Sequence, residues 1–257
     1  MFDFVVFAAV GFFAQLIDGA LGMGYGVISS VMLLTTGVPP AQTSASVHAA
    51  KLFTTATSGT SHFLHGNVDR KLMLQLAATG VIGGIIGAAI LTQVSGATMR
   101  PFVFVYLLAV GILILIRCFK PASEAFPRMR LVAPLGATGG FLDAIGGGGW
   151  GPVVTSTLIG TGAPPRYVIG SVNAAEFVVT CAVVSVFLTS LLFGVWHESE
   201  GLLDHAIPVI ALIVGGIPAA LFAGRLLKKA PRKPLTIAVS LLIICLSSFE
   251  LIKWIVG

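Results

Sequence analysis

The sequence predicts an all-α integral membrane protein built from two inverted-topology repeats, each with a glycine-broken short-helix pair plus three further spans. Three observations lead there. Apolar residues make up 56% of the 257-residue chain, charged residues 10%, and the mean hydropathy is +1.00, whereas a soluble domain carries roughly 25% charged residues. The chain also repeats itself. Sliding it by 125 residues lays Gly11, Asp18, Gly22, Gly24, Gly26, Pro39, Pro40, Ser46, Ala50 and Thr55 on identical residues, part of 15 identities in 45 gapless positions, which marks an internal duplication. Finally, the basic loop residues gather on one side of a membrane only if the two copies are oppositely oriented.

A helix crosses a bilayer core in about 20 apolar residues, and the chain offers such runs in order. The first, 2–17, has no basic residue ahead of it, so a retained segment is expected rather than a cleaved signal peptide. It breaks at Asp18-Gly19-Ala20-Leu21-Gly22-Met23-Gly24. A short piece over 25–36 follows and ends at the turn Gly37-Val38-Pro39-Pro40. The run 41–65 is rich in Ser, Thr and Ala, while 72–94 and 101–119 look like ordinary spans. The former carries Gly80, Gly83, Gly84 and Gly87, suited to close helix contact.

The second half repeats the plan over 131–145, 150–161, 166–193, 205–227 and 235–256. After a longer loop the offset becomes 132, which aligns Gly83-Gly84-Ile85 with Gly215-Gly216-Ile217 and Arg100 with Arg232. Repeat 1 is therefore 1–120, a cytoplasmic linker 121–130, and repeat 2 131–257. The polar stretches 120–130 and 194–204 leave little room for a nucleotide-binding or extramembrane catalytic domain.

Loop charge sets the expected topology. If each broken first segment crossed once, Lys and Arg would divide about evenly between the two sides. If each broken pair crosses twice, or enters and leaves by one side, Arg70, Lys71, Arg117, Lys120, Arg128, Arg130, Arg166, Arg225, Lys228, Lys229, Arg232 and Lys233 fall together. Only Arg100 and Lys253 oppose them, and the acidic Glu198, Glu200 and Asp204 lie opposite as well. The basic loops are then cytoplasmic and both termini outside, in a multi-pass protein of the cell membrane. An odd number of segments per half inverts the second copy. The same parity holds for two short spans and for a re-entrant hairpin, and both stay open. The formal charge of +5 reflects this orientation bias and not nucleic acid. Cys118, Cys181 and Cys245 lack any CxxC or His/Cys spacing and are expected to behave as apolar side chains.

Backbone that leaves a helix at bilayer depth persists only where protein, water or a ligand satisfies its polar groups. Gly22 and Gly24, with Gly147 and Gly149, mark such places twice, and helices restarting near Tyr25 and Trp150 would point amides and positive dipole ends inward, as suits an anion. The alternative is that the glycines only permit tight crossings. Asp18 and Asp143 are mates in the duplication, either coupling residues or helix caps. Lys51 and Glu176 are mates of opposite charge, expected to pair across the pseudo-two-fold axis, with an arriving anion competing for Lys51. His48 and Asn173, one turn earlier, join Ser46 and Ser171 as neutral substrate-binding donors or as plain interhelical bonds. Arg166 is either a lip of the inner vestibule or an ordinary cytoplasmic charge. His62 and His65 lack a nearby carboxylate, so no metal is expected. Without a P-loop, HExxH or nucleophile elbow, neither a cofactor nor nucleotide chemistry is expected.

The pattern Asp-Gly-Ala-Leu-Gly-Met-Gly-Tyr-Gly (18–26), the Gly-Val-Pro-Pro turn (37–40), Ser-Gly-Thr-Ser-His (58–62), His-Gly-Asn-Val-Asp (65–69) and the second-copy Gly-Gly-Gly-Gly-Trp-Gly-Pro resemble the sulfite exporter TauE/SafE family of membrane permeases, over essentially the whole chain. The resemblance implies a multi-span secondary carrier of sulfite, organosulfonates or related sulfur anions. Three carboxylates against Lys51 alone sit awkwardly with an anion unless some are protonated. An intramembrane enzyme, a scaffold or channel, and a carrier of a different anion or of a cation-coupled solute are the competing readings. Expected partners are a small anionic substrate and the lipid bilayer, with no nucleic acid, and a homodimer stays open.

Overall fold

The computed structural model describes residues 2–119, 129–196, 206–226 and 231–256, and among them every regular element is helical. In the first half, α1 (Phe2–Leu21) and α2 (Tyr25–Thr35) flank a break, followed by α3 (Pro40–Leu64), α4 (Arg70–Leu91) and α5 (Gly96–Cys118). In the second, α6 (Met129–Gly146) precedes the other break. A π-helical turn (Gly151–Thr155) then runs into α7 (Ser156–Gly160), followed by α8 (Pro165–Leu192), α9 (Ala206–Leu221), the short α10 (Ala223–Leu226) and α11 (Arg232–Val256). The expected linker 121–130, apart from its last two residues, which belong to α6, lies outside the described residues, as do Glu198, Glu200 and Asp204.

Local chemistry fixes the starts. Pro40 and Pro165 open α3 and α8, where a missing N–H costs nothing and the fixed φ suits a first turn. Asp69 caps α4 by accepting from the Lys71 and Leu72 amides at 2.9 and 3.1 Å. Ser95 caps α5 through Thr98 N–H, which carries that helix back to Gly96, ahead of the apolar run at 101–119. The expected break at Asp18 falls later. α1 keeps helical backbone through Leu21, and Gly22 is the first residue to leave it, at φ +69°.

α1, α4, α5, α8 and α11 are long and apolar enough to cross a membrane, while α2, α6 and α9 are shorter apolar helices. α3, at 25 residues, is long enough but carries buried Thr43, Ser44, His48 and Lys51. Large apolar side chains such as Phe13, Leu64, Phe102, Leu192 and Ile255 stand exposed on the outside. In water such a surface would associate; in a bilayer it is solvated. The chain is a multi-pass membrane protein.

The halves interlock. α4 lies along α6 and, reciprocally, its mate α9 lies along α1, while α5 packs on its own mate α11 and α3 on its mate α8. Glycine makes the close pairs feasible. A Cβ on Gly83 would fall 1.9 Å from Ala137 O, and one on its mate Gly215 1.9 Å from Ala8 O. Around this frame one apolar core gathers α1, α2, α5 and α11, and another gathers α4, α6 and α8.

Candidate functional site

The two breaks meet back to back. A Cβ on Gly26 would lie 2.6 Å from Gly147 O, and one on its mate Gly151 2.5 Å from Gly22 O. Gly22 and Gly147, themselves mates, hold left-handed φ of +69° and +70°, a conformation that costs a side chain but not glycine. Gly149 is hemmed in by the Tyr106 hydroxyl, 2.1 Å from where a Cβ would stand, and Gly24 holds φ +135°. The glycine runs therefore serve close backbone approach and left-handed turns in the folded chain.

The amides exposed where the helices restart already have an acceptor from within the protein. Asp143 Oδ1 accepts from Gly149 N at 2.9 Å and Trp150 N at 3.1 Å. Asp18 Oδ1 accepts from Tyr25 N at 3.3 Å. Each aspartate sits in the last turns of the helix before the break and reaches across it to cap the next. A carboxylate there satisfies orphan amides and complements the helix dipole.

Asp143 turns its other oxygen to α3. Lys51 Nζ donates to Asp143 Oδ2 at 2.7 Å and lies 2.8 Å from Glu176 Oε1, so one ammonium bridges α6 and α8. The expected pairing of the mates Lys51 and Glu176 is present in the structure, with Asp143 as a third member. His48 Nε2 stands 3.1 Å from the same Asp143 oxygen, and its Nδ1 lies 2.8 Å from Ser44 O. Both ring nitrogens thus face oxygen acceptors, and the Nε2–Oδ2 contact needs a proton supplied by one side or the other. Ser44 Oγ donates to Ala144 O at 2.5 Å and fixes α3 against α6. Lys51, His48, Asp143, Glu176 and Asp18 are all buried. Chemically the cluster can hold a cation between two carboxylates and exchange a proton.

Other candidate residues lie elsewhere. Asn173, the mate of His48, donates to Ile169 O at 3.1 Å and accepts from Ser58 at 3.0 Å, an α3–α8 tie without a charge. Ser171 accepts from Asp69 N at 2.8 Å beneath the α3–α4 turn, and Ser46 lines a small apolar cleft beside Phe187 and Trp196. Tyr25 and Trp150 are buried mates with tethered polar ends, the hydroxyl on Leu212 O at 3.2 Å and the indole N–H on Val172 O at 3.0 Å. Arg166 binds Asn67 Oδ1 at 2.8 Å and His65 O at 3.1 Å, tying α8 to the α3–α4 turn. Sequence reasoning overlooks Ser44, although its place one turn before His48 was a signal.

The family model described as "Sulfite exporter TauE/SafE" matches residues 7–249. The chain is 43% identical over 259 aligned positions to a "Probable membrane transporter protein YtnM" of Bacillus subtilis (strain 168), covering 98% of this chain and 84% of that one. Shorter matches reach a "Probable membrane transporter protein ORF9" of Sinorhizobium sp, 30% identical over 39% of this chain and 38% of the other, and a "Sulfite exporter TauE/SafE family protein 3" of Arabidopsis thaliana, 27% identical over 41% of this chain and 22% of the other. No solved structure matches. With duplicated glycine breaks, a buried charge cluster between them and a family match over nearly its whole length, the chain belongs to the TauE/SafE family of membrane transporters.

Proposed function

We propose that the chain is a secondary carrier that exports small sulfur-containing anions, such as sulfite or organosulfonates, by alternating access between two inverted repeats. The observation that carries this reading is buried Lys51, held between Asp143 and Glu176 beside the two broken segments. Ionisable groups inside a membrane are expensive and mark substrate or ion pathways, and discontinuous helices at matched positions point to a carrier's site. The reciprocal packing of α4 on α6 and of α9 on α1 supports the inverted arrangement. The family description supports the substrate class, and the loop charges support an orientation with the basic loops cytoplasmic and both termini outside.

In this mechanism an arriving anion competes with Glu176 and Asp143 for Lys51. A carboxylate displaced from the ammonium is left buried, and protonation removes its charge. The proton held at the His48–Asp143 contact provides that step, so anion and proton movements are linked. Asp18 and Asp143 hold the half-helices together through the exchange.

The test is flux in proteoliposomes. Protein-containing vesicles loaded with labelled sulfite should release it faster than protein-free vesicles, and Lys51→Ala should stop release while the purified variant still elutes as a folded species. Absence of protein-dependent flux for sulfite, thiosulfate, sulfoacetate and taurine alike would overturn the proposal.

A further inference from the structure

Between α5, α7 and α11 lies a cavity of about 420 Å³, lined by Arg117, Lys233, Ser156, Thr157 and Thr236, with Ile169 of α8 on an apolar side. Small-molecule sites span roughly 300–1,000 Å³. No carboxylate is among its described lining residues. Arg117 Nη1 donates to Ser156 Oγ at 2.8 Å and to Thr157 Oγ1 at 2.6 Å. Each hydroxyl spends its own hydrogen on the preceding turn, Thr157 on Val153 O at 2.5 Å and Ser156 on Pro152 O. The hydroxyls therefore act as acceptors that fix the guanidinium. Among the described residues this leaves Nη2 and Nε for another acceptor. The Lys233 ammonium stands 5.1 Å over the Phe119 ring.

The duplication shows that the fold alone does not require this polarity. In the first half, the positions equivalent to Ser156, Thr157, Lys233 and Thr236 are Val31, Met32, Pro101 and Phe104. Val31 and Phe104 are each 1% exposed, packed into apolar core. The π-helical turn next to Ser156 also breaks the symmetry, because α2 is α-helical throughout. At these four positions one copy lines an open cavity with polar and basic side chains where the other packs apolar ones, and the mate of the cavity's Cys118 is buried Glu250, already paired with Arg100 at 3.6 Å.

We infer that this cavity binds a small oxyanion of the sulfonate or sulfite type, taken two-pronged by the unbonded edge of Arg117 and by the Lys233 ammonium, with Ser156 and Thr157 as positioning residues. Planar guanidinium forks suit paired oxygens. The site's role as the cytoplasmic waiting place for cargo rests on the carrier reading; the binding itself does not. Leu21, Met23 and Ile169 line the cavity's apolar side, and Ile169 lies seven residues before Glu176 on α8, about 10 Å along a helix.

Cys118 lines the same cavity and reports on it directly. In a Cys181→Ser, Cys245→Ser background purified in detergent, saturating methanesulfonate or sulfate should slow alkylation of Cys118 about tenfold against chloride at equal ionic strength, as mass action requires of a reagent excluded by the ligand. Arg117→Gln should raise the anion concentration needed by about tenfold or more, Arg117→Lys should restore only part of it, and Lys233→Gln, on an exposed side chain, should raise it a few fold, roughly as charge-assisted bonds predict. Unchanged alkylation with both anions overturns the site, and so does protection that is equal in all three variants. If Arg117→Gln does not fold, Lys233→Gln decides. Protein-dependent sulfite flux with Cys118 unprotected would remove this site and leave the carrier reading intact. Arg117-dependent protection without any flux would keep the site and remove the carrier.

Discussion

Lys51 touches two carboxylates at 2.7 and 2.8 Å with 1% of its side chain exposed, so deleting its charge leaves Asp143 and Glu176 facing each other without a cation. Removing one partner of a buried pair costs about 3–5 kcal/mol. Lys51→Met should therefore lower the Tm of the detergent-purified protein sharply, and Lys51→Met with Glu176→Gln should recover part of the loss. A double variant no better than the single one would mean that Glu176 carries no share of the pairing. The Lys51–Glu176 contact was legible in the sequence because the 125-residue offset makes the two residues mates on helices of matching character. The role of Asp143 was only half legible. It caps amides six and seven residues ahead, across a break whose path no periodicity encodes, and its second oxygen meets residues 92 and 95 positions away.

The two broken segments lie so close that side chains are excluded between them. A Cβ on Gly148 would come 2.2 Å from Val27 N and 2.3 Å from Gly26 C, both backbone atoms that cannot step aside. Gly148→Ala should give protein that fails to elute as a single species in size-exclusion chromatography. Gly160→Ala, with nothing within 4 Å of the added carbon, should stay within about 0.5 kcal/mol of wild type, the usual range for an unconstrained substitution. A tolerated Gly148→Ala would mean the breaks are farther apart than described. Composition announced the second break, since its four consecutive glycines exceed what helix packing needs, and the duplication carried that reading to the first. Their mutual contact was hidden, because a glycine that meets backbone and one that meets a ligand look alike in sequence. Arg117 was hidden differently. It reads as one more cytoplasmic flank residue until its partners Ser156 and Thr157 are seen to depart from Val31 and Met32 of the other copy.

For the molecule as a whole, orientation is the property most exposed to test. Lys71 and Gln93 stand exposed at opposite ends of α4. With single cysteines there in a cysteine-free background, a membrane-impermeant maleimide applied to intact cells should label Gln93→Cys and spare Lys71→Cys. The reverse would turn the protein over, and labelling of both would deny that α4 spans. The duplication made the general plan readable, because two matched sets of helices must bury matched faces. It could not show which helix lies beside which: α1 takes α9 as its neighbour, more than a whole repeat along the chain, and α4 takes α6, each helix choosing a partner from the other copy.

That exchange of neighbours has a consequence for biogenesis. When the ribosome has delivered only the first repeat, α1 has no α9 to lie against, α4 has no α6, and the Gly22 carbonyl has no Thr155 hydroxyl to accept from. Unsatisfied polar backbone in hydrocarbon costs several kcal/mol per group, so the nascent half stays unfinished in the membrane until its twin arrives. Final packing of the first repeat is thus expected to wait for synthesis of the second.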